Sequence, residues 1–142
     1  MAALTASRIT NHKEVEAAVQ SYPVAAEAVF KGGLISINTA GFASAGADTA
    51  SEVCVGIAME DVDNSGGSAG DKSVLVKSGI VADLDTGSDL GQTSVGETAL
   101  ISDDQTVALS TSNSVAAGKI VEYRSASEVS VYIPPHGMAA GL

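Results

Sequence analysis

The sequence predicts an all-β domain, an antiparallel β-barrel or a jelly-roll-like sandwich, preceded by an extended N-terminal arm. Three observations carry that expectation. From Val29 onward, short apolar runs built from Val, Ile, Leu, Ala and Thr recur at nearly regular intervals. Gly, Asn, Asp and Ser separate them, and these residues favour turns. No stretch between the runs carries a long helical repeat of apolar positions. A chain of 142 residues has the length of one domain with one core, so neither a two-domain enzyme nor a repeat array is expected.

Residues 1–29 are the expected arm. Asn11 stands where it could cap a short helical turn over 12–19, with Glu14 in the reciprocal capping position. The apolar face of such a turn, Val15, Ala18 and Val19, is weak. Pro23 pushes Tyr22 towards extended backbone, because the proline ring crowds the residue before it. The β domain spans 30–133. Its first run, 34–37, stops at Asn38-Thr39-Ala40-Gly41, and its second, 53–59, stops at an acidic stretch. Runs 74–77 and 80–82 flank Ser78-Gly79. Runs 98–101 and 106–109 lie at hairpin spacing around Asp103-Asp104. Runs 119–123 and 129–133 alternate with period two, and Pro134-Pro135 ends the last, since neither proline can donate to a ladder. Residues 134–142 are the expected tail, and no internal repeat is found.

Charge and composition exclude several classes of function. Seven Lys and Arg against 17 Asp and Glu give a net charge of −10 and a pI near 4.3. Nucleic-acid binding depends on basic side chains that neutralise phosphates, and an anionic membrane surface needs the same, so neither partner is expected. A mean hydropathy of +0.24 is too apolar for a disordered chain. The single cysteine, Cys54, excludes an intramolecular disulfide and a cysteine-based zinc site. No run approaches the ~20 apolar residues of a membrane helix. The first residues lack the apolar core of a secretory signal.

Three short motifs invite chemical readings. Asp85-Thr86-Gly87 matches the Asp-Thr-Gly of aspartic proteases, whose two carboxylates share one proton, so a single motif requires a homodimer. The apolar-apolar-Gly stretch such an enzyme needs downstream has its nearest match in Ala116-Ala117-Gly118, too close to leave room for a flap. A β-turn is the alternative reading of 85–87. Gly66 to Ser73 resembles a phosphate-binding loop, but Asp71 replaces the glycine that lets backbone wrap the phosphate, and a strand follows in place of a helix. Asp61-x-Asp63-x-Ser65-Gly66 begins like a calcium loop, yet Lys72 occupies the position of the bidentate Glu. A surface hairpin loop is the expectation for 61–72. His12 and His136 lie in arm and tail, away from any nucleophile. No catalytic residue, cofactor or metal ligand is therefore assigned.

A set of stretches in order carries a resemblance. Tyr22-Pro23-Val24-Ala25-Ala26 is followed by Phe30-Lys31-Gly32-Gly33-Leu34-Ile35. Val55-Gly56-Ile57-Ala58 leads into Asp61-Val62-Asp63-Asn64-Ser65-Gly66 and Ala69-Gly70-Asp71-Lys72. Asp103-Asp104-Gln105-Thr106-Val107, Ala117-Gly118-Lys119-Ile120-Val121 and residues 129–133 complete the set. Residues 22–133 thereby resemble the capsid-decoration, or cement, proteins of bacteriophage heads; residues 1–21 and the tail depart from that pattern. The resemblance implies a β-rich structural virion protein, without catalysis, that binds the outer surface of an assembled head and stabilises the capsid. It implies the major capsid protein and neighbouring copies of the chain, as dimer or trimer, as partners. Its implied place is the outer capsid surface, after synthesis in the host cytoplasm.

The physics is compatible with that role. Weak contacts repeated over a shell add by multivalency. An extended arm can lay a strand on a neighbour's sheet edge. The candidate capsid-interface residues are Arg8 and Lys13, two of the seven basic residues, and Tyr22 and Pro23, where the arm leaves the domain. Two alternatives stand beside it: the homodimeric aspartic protease acting through Asp85-Thr86-Gly87, and another virion accessory domain of a tail or spike.

Overall fold

One long run of alternating residues, Ser73–Thr86, organises the architecture. Its even-numbered positions from Val74 to Thr86 are all buried, while Ser73, Leu75, Lys77, Val81, Asp83 and Asp85 keep some exposure, the period-two signature of a strand with one face on a core. The computed structural model of the chain describes residues 2–135, without the side chains of residues 13–16; His136 and the rest of the tail beyond it lie outside the described residues.

Eleven strands are described: β1 (His12–Pro23), β2 (Ala28–Val29), β3 (Leu34–Ile37), β4 (Ala43–Ala45), β5 (Val53–Ala58), β6 (Val62–Asp63), β7 (Ser73–Thr86), β8 (Thr98–Asp103), β9 (Thr106–Ala108), β10 (Ala116–Ser125) and β11 (Glu128–Ile133). Five of them close a barrel in the order β7-β11-β10-β8-β9 and back to β7. Four seams are antiparallel. The fifth, Asp85 opposite Thr106 and Thr86 opposite Val107, is parallel. The fully antiparallel arrangement expected from sequence is corrected at this seam, and the topology explains why. Strand direction cannot alternate all the way round a ring with an odd number of members. The open choice between barrel and sandwich resolves as a barrel.

The barrel interior is filled by short side chains. Ile80, Ala82 and Leu84 from β7 meet Val129, Val131 and Ile133 from β11, with Ala99, Ile101, Val107, Ala117 and Ile120 from the other strands. Fully burying each Ile, Leu or Val contributes about 1.5–3 kcal/mol. Gly118 lets β10 lie close against β11, because a Cβ there would run into the Tyr132 carbonyl.

The N-terminal half of β7 serves a second core. Strands β5, β3 and β4 continue the sheet from β7, and β2 pairs with β6 as a separate ribbon. Val24, Val29, Ile35, Val55, Val62, Val74 and Val76 pack together there. Two runs flanking a turn at Ser78-Gly79 were expected, but the chain continues as one strand. Gly79, at φ +68, absorbs the change where β7 passes from one core to the other.

Residues 12–19 are corrected from a helical turn to the first part of β1. The strand runs antiparallel along β7 from His12 opposite Ala82 to Pro23 opposite Ser73, with a register shift between Glu14 and Ala18. A weakly amphipathic segment gains little as an isolated helix, whereas the edge of β7 offers it a ladder of backbone partners. Asn11 is drawn into the same ladder, its carbonyl accepting the Asp83 amide at 2.7 Å.

Candidate interaction surface

The segment before β1 is fastened to the domain through the turn between β8 and β9. The Leu4 amide donates to Asp104 Oδ1 at 2.8 Å, and Gln105 Nε2 donates to the Ala2 carbonyl at 2.6 Å. Arg8 donates to Gln105 Oε1 at 2.6 Å and lies 3.7 Å from Asp85. Backbone adds the Arg8 amide to the Lys31 carbonyl, and Thr10 Oγ1 donates to the Gly32 carbonyl at 2.6 Å. Asp104 is only 2% exposed. Burial raises its carboxyl above the usual aspartate range and Asp103 adds to this, while the Leu4 amide and Arg8 oppose it. Glu27 is shifted the same way, by burial first and then by Glu52 and Asp104.

A second set of ties gathers the loop 64–72. The side-chain amide of buried Asn64 donates to the carbonyls of Val24, Ala25 and Ser68. The Gly70 amide donates to the Val24 carbonyl and the Val24 amide to the Lys72 carbonyl, both at 2.9 Å. Lys72 Nζ reaches the Asp63 carbonyl at 2.7 Å, and the Lys31 amide donates to Asp61 Oδ1 at 2.8 Å. Stretches 22–26, 30–33, 61–66 and 69–72, far apart in sequence, thus form one hydrogen-bonded assembly. The loop is exposed as expected, but β6 and β7 do not form a hairpin: β6 pairs with β2 instead.

The chemical motifs take structural positions. Asp61 accepts the Lys31 amide, Asp63 accepts the Ser65 hydroxyl and amide, and Asp71 accepts the Ser68 amide at 2.9 Å. These carboxylates turn onto backbone and a hydroxyl, and the Ser65 contacts hold the Asp63 carboxyl below its ordinary value, with Lys72 assisting. Among the described residues no three of His, Cys, Asp or Glu gather as they would around a metal ion. Asp85-Thr86-Gly87 is corrected from a β-turn: Asp85 and Thr86 are the last residues of β7, and Gly87 follows it. Asp85 and Thr86 pair with β9, Thr86 Oγ1 donates to the Ala126 carbonyl, and the Gly87 amide donates to the Val107 carbonyl.

The candidate interface residues do not form one site. Lys13 lies opposite Val81, and its side chain is outside the described residues. Tyr22 and Pro23 lie at the other end of β1, opposite Val74 and Ser73, with the Tyr22 ring half-buried against the second core. Burial raises the Tyr22 hydroxyl above its ordinary value. Arg8 belongs to the fastening at Gln105 and also lines a cleft of about 320 Å³ beside Ile9, Lys31, Met59 and Lys77. An adjoining cleft of about 460 Å³ is lined by Val81, Asp83, Val121, Glu122 and Arg124, and His12 borders both. Sequence reasoning missed these clefts because their walls come from segments tens to more than a hundred residues apart. It also missed Asn64 and Asp104 as ties, because each stands in a polar, turn-like stretch that gives no sign of burial.

Among the described residues no helix is long and apolar enough to cross a membrane. Compared with known protein-family models and with curated proteins, the chain matches none.

Proposed function

We propose that this chain is a structural virion protein that binds the outer surface of an assembled phage head and stabilises the capsid, acting by contact rather than catalysis. The observation that carries the reading is the assembly around Asn64. Four of the ordered stretches that resemble decoration proteins, 22–26, 30–33, 61–66 and 69–72, touch one another there through backbone and side-chain hydrogen bonds. Scattered turn-like peptides could match a family by composition alone; peptides that interlock form a coherent part of a fold.

Two further features support it. The barrel is closed, which removes strand edges from most of its circumference. Strand β1, in contrast, has β7 as its only strand partner among the described residues, and so presents twelve residues of edge backbone. A shell subunit can add a strand to such an edge, gaining main-chain hydrogen bonds without a deep pocket. The major capsid protein is the partner on this reading, and repetition over the shell converts modest contacts into firm attachment.

Density-gradient sedimentation of undecorated heads mixed with the purified chain tests the proposal. The chain is expected to travel with the heads and to raise the temperature at which they rupture. A chain left at the top of the gradient at every input ratio contradicts it.

A further inference from the structure

The loops that precede β5 and β10 are clamped to each other. Asp48 accepts the Ser112 amide on Oδ2 at 3.0 Å and the Asn113 amide on Oδ1 at 2.9 Å. Asn113 Nδ2 in turn donates to the Asp48 carbonyl at 2.8 Å, and the Ser114 amide donates to Thr111 Oγ1 at 3.0 Å. Residues 51–53 and 113–116 line a cleft of about 230 Å³ between these loops. Among the described residues only two other than glycine have positive φ, Ser51 at +68 and Ser114 at +53, and both line this cleft. Such backbone is disfavoured for a residue with a Cβ, and it collects at ligand clamps. Glu52, beside Ser51, brings the charge. Its Oε1 is shut off from solvent and has no hydrogen-bond partner among the described residues. Ser36 Oγ and Thr106 Oγ1 share that condition, but both are neutral hydroxyls on residues at 0% exposure. A carboxylate oxygen so placed carries a desolvation cost that a cation would offset. Burial raises the Glu52 carboxyl above the ordinary glutamate range.

We infer that this cleft binds a primary alkylammonium group, the chemistry of a lysine side-chain end. Its lining offers acceptors and holds no basic residue. The acceptors are the Glu52 carboxylate, the Ser51 and Ser114 hydroxyls, and Asn113 Oδ1, since the amide nitrogen of Asn113 is committed to Asp48. An ammonium carries three donors and no acceptor, which suits acceptors spread around one point. The planar fork of a guanidinium would instead need both carboxylate oxygens open side by side. The terminal torsion of a carboxylate is soft, so a small turn brings Oε1 to the entering charge. Val53, Val115 and Ala116 supply apolar wall for the methylene stem. At about 230 Å³ the space is below the ~300–1,000 Å³ of drug-sized ligands and holds one side-chain end. The net charge of −10 draws cations towards the chain from a distance. The inference does not depend on the head-surface reading.

Amide NMR spectra of the full chain, titrated with n-butylammonium chloride or with an acetylated tripeptide carrying a central lysine, test it. Saturable shifts at residues 51–53 and 113–116 are expected, with a millimolar dissociation constant. Binding of both probes points to a lysine on a protein partner, and binding of butylammonium alone to a free amine; either outcome upholds the inference. Glu52→Gln keeps the shape and removes the charge, so it is expected to fold as the wild type does and to bind at least about tenfold more weakly. Ser51→Gly combined with Ser114→Gly removes both hydroxyls while glycine accepts the same backbone. That chain is expected to fold and to bind severalfold more weakly. Shifts that never saturate, that sodium chloride reproduces, or that persist unchanged in the Glu52→Gln chain overturn the inference. Tighter binding of the matching arginine tripeptide overturns the choice of an ammonium.

Discussion

Asn64 Nδ2 lies 3.2 Å from the Val24 carbonyl, and that bond joins the loop after β6 to the chain leaving β1. Both residues are buried, Asn64 at 2% and Val24 at 0% exposure. The amide also reaches the Ala25 and Ser68 carbonyls, at 3.1 and 2.9 Å.

Replacing Asn64 by Ala removes the donor and leaves buried acceptors without a partner. The expected cost is about 1–3 kcal/mol, seen as a melting temperature lowered by several degrees. Asn64→Asp should be worse, because a carboxylate has no proton to donate and would face three carbonyl oxygens. Equal stability of Asn64→Ala and wild type in a denaturant titration would remove this loop from the account of the fold.

Asp104 gives a pH prediction whose sign differs from that of a salt-bridged carboxylate. Burial raises its folded-state value above that of the unfolded chain. Below the unfolded value both states are protonated and nothing is lost. As pH rises from the ordinary aspartate range through the raised folded value, the unfolded state sheds its proton first, and stability falls. Asp104→Asn keeps an oxygen to accept the Leu4 amide and removes the charge. The variant is expected to flatten the decline of stability with pH in that window and to be no less stable than wild type at neutral pH. Glu27 and Glu52, raised chiefly by burial as well, keep part of the slope. An unaltered pH–stability curve contradicts the assignment.

Cys54 sits in the main core at 1% exposure, and burial pushes its thiol up to about 11. Only the thiolate is nucleophilic. The folded protein is expected to resist a disulfide-exchange reagent at neutral pH and to react in full once denatured. Rapid modification of the native chain would mean that this core opens readily.

Much of the barrel was legible because its strands announce themselves locally. Val129, Val131 and Ile133 alternate in sequence with Glu128, Ser130 and Tyr132, and β8 and β9 sit at hairpin spacing. The N-terminal strand was not legible. Its residues pair with β7, some sixty positions away, and a ladder at that distance leaves no mark on local periodicity. Gly79 misled for a related reason: a glycine at positive φ ends a strand in a turn but only bends one that both flanks hold in place. The interaction surface was least legible of all. Arg8 reads as one scattered cation in sequence, and only folding brings it to Lys31, Lys77 and Gln105.

The central claim is attachment to the outside of an assembled head, and a cryo-electron-microscopy reconstruction of particles made with and without this chain tests it most directly. The account predicts symmetry-repeated density on the outer shell, present only with the chain, into which the five-stranded barrel fits with β1 turned towards the capsid. Identical maps from the two preparations, or density for the chain confined to the tail, would contradict it.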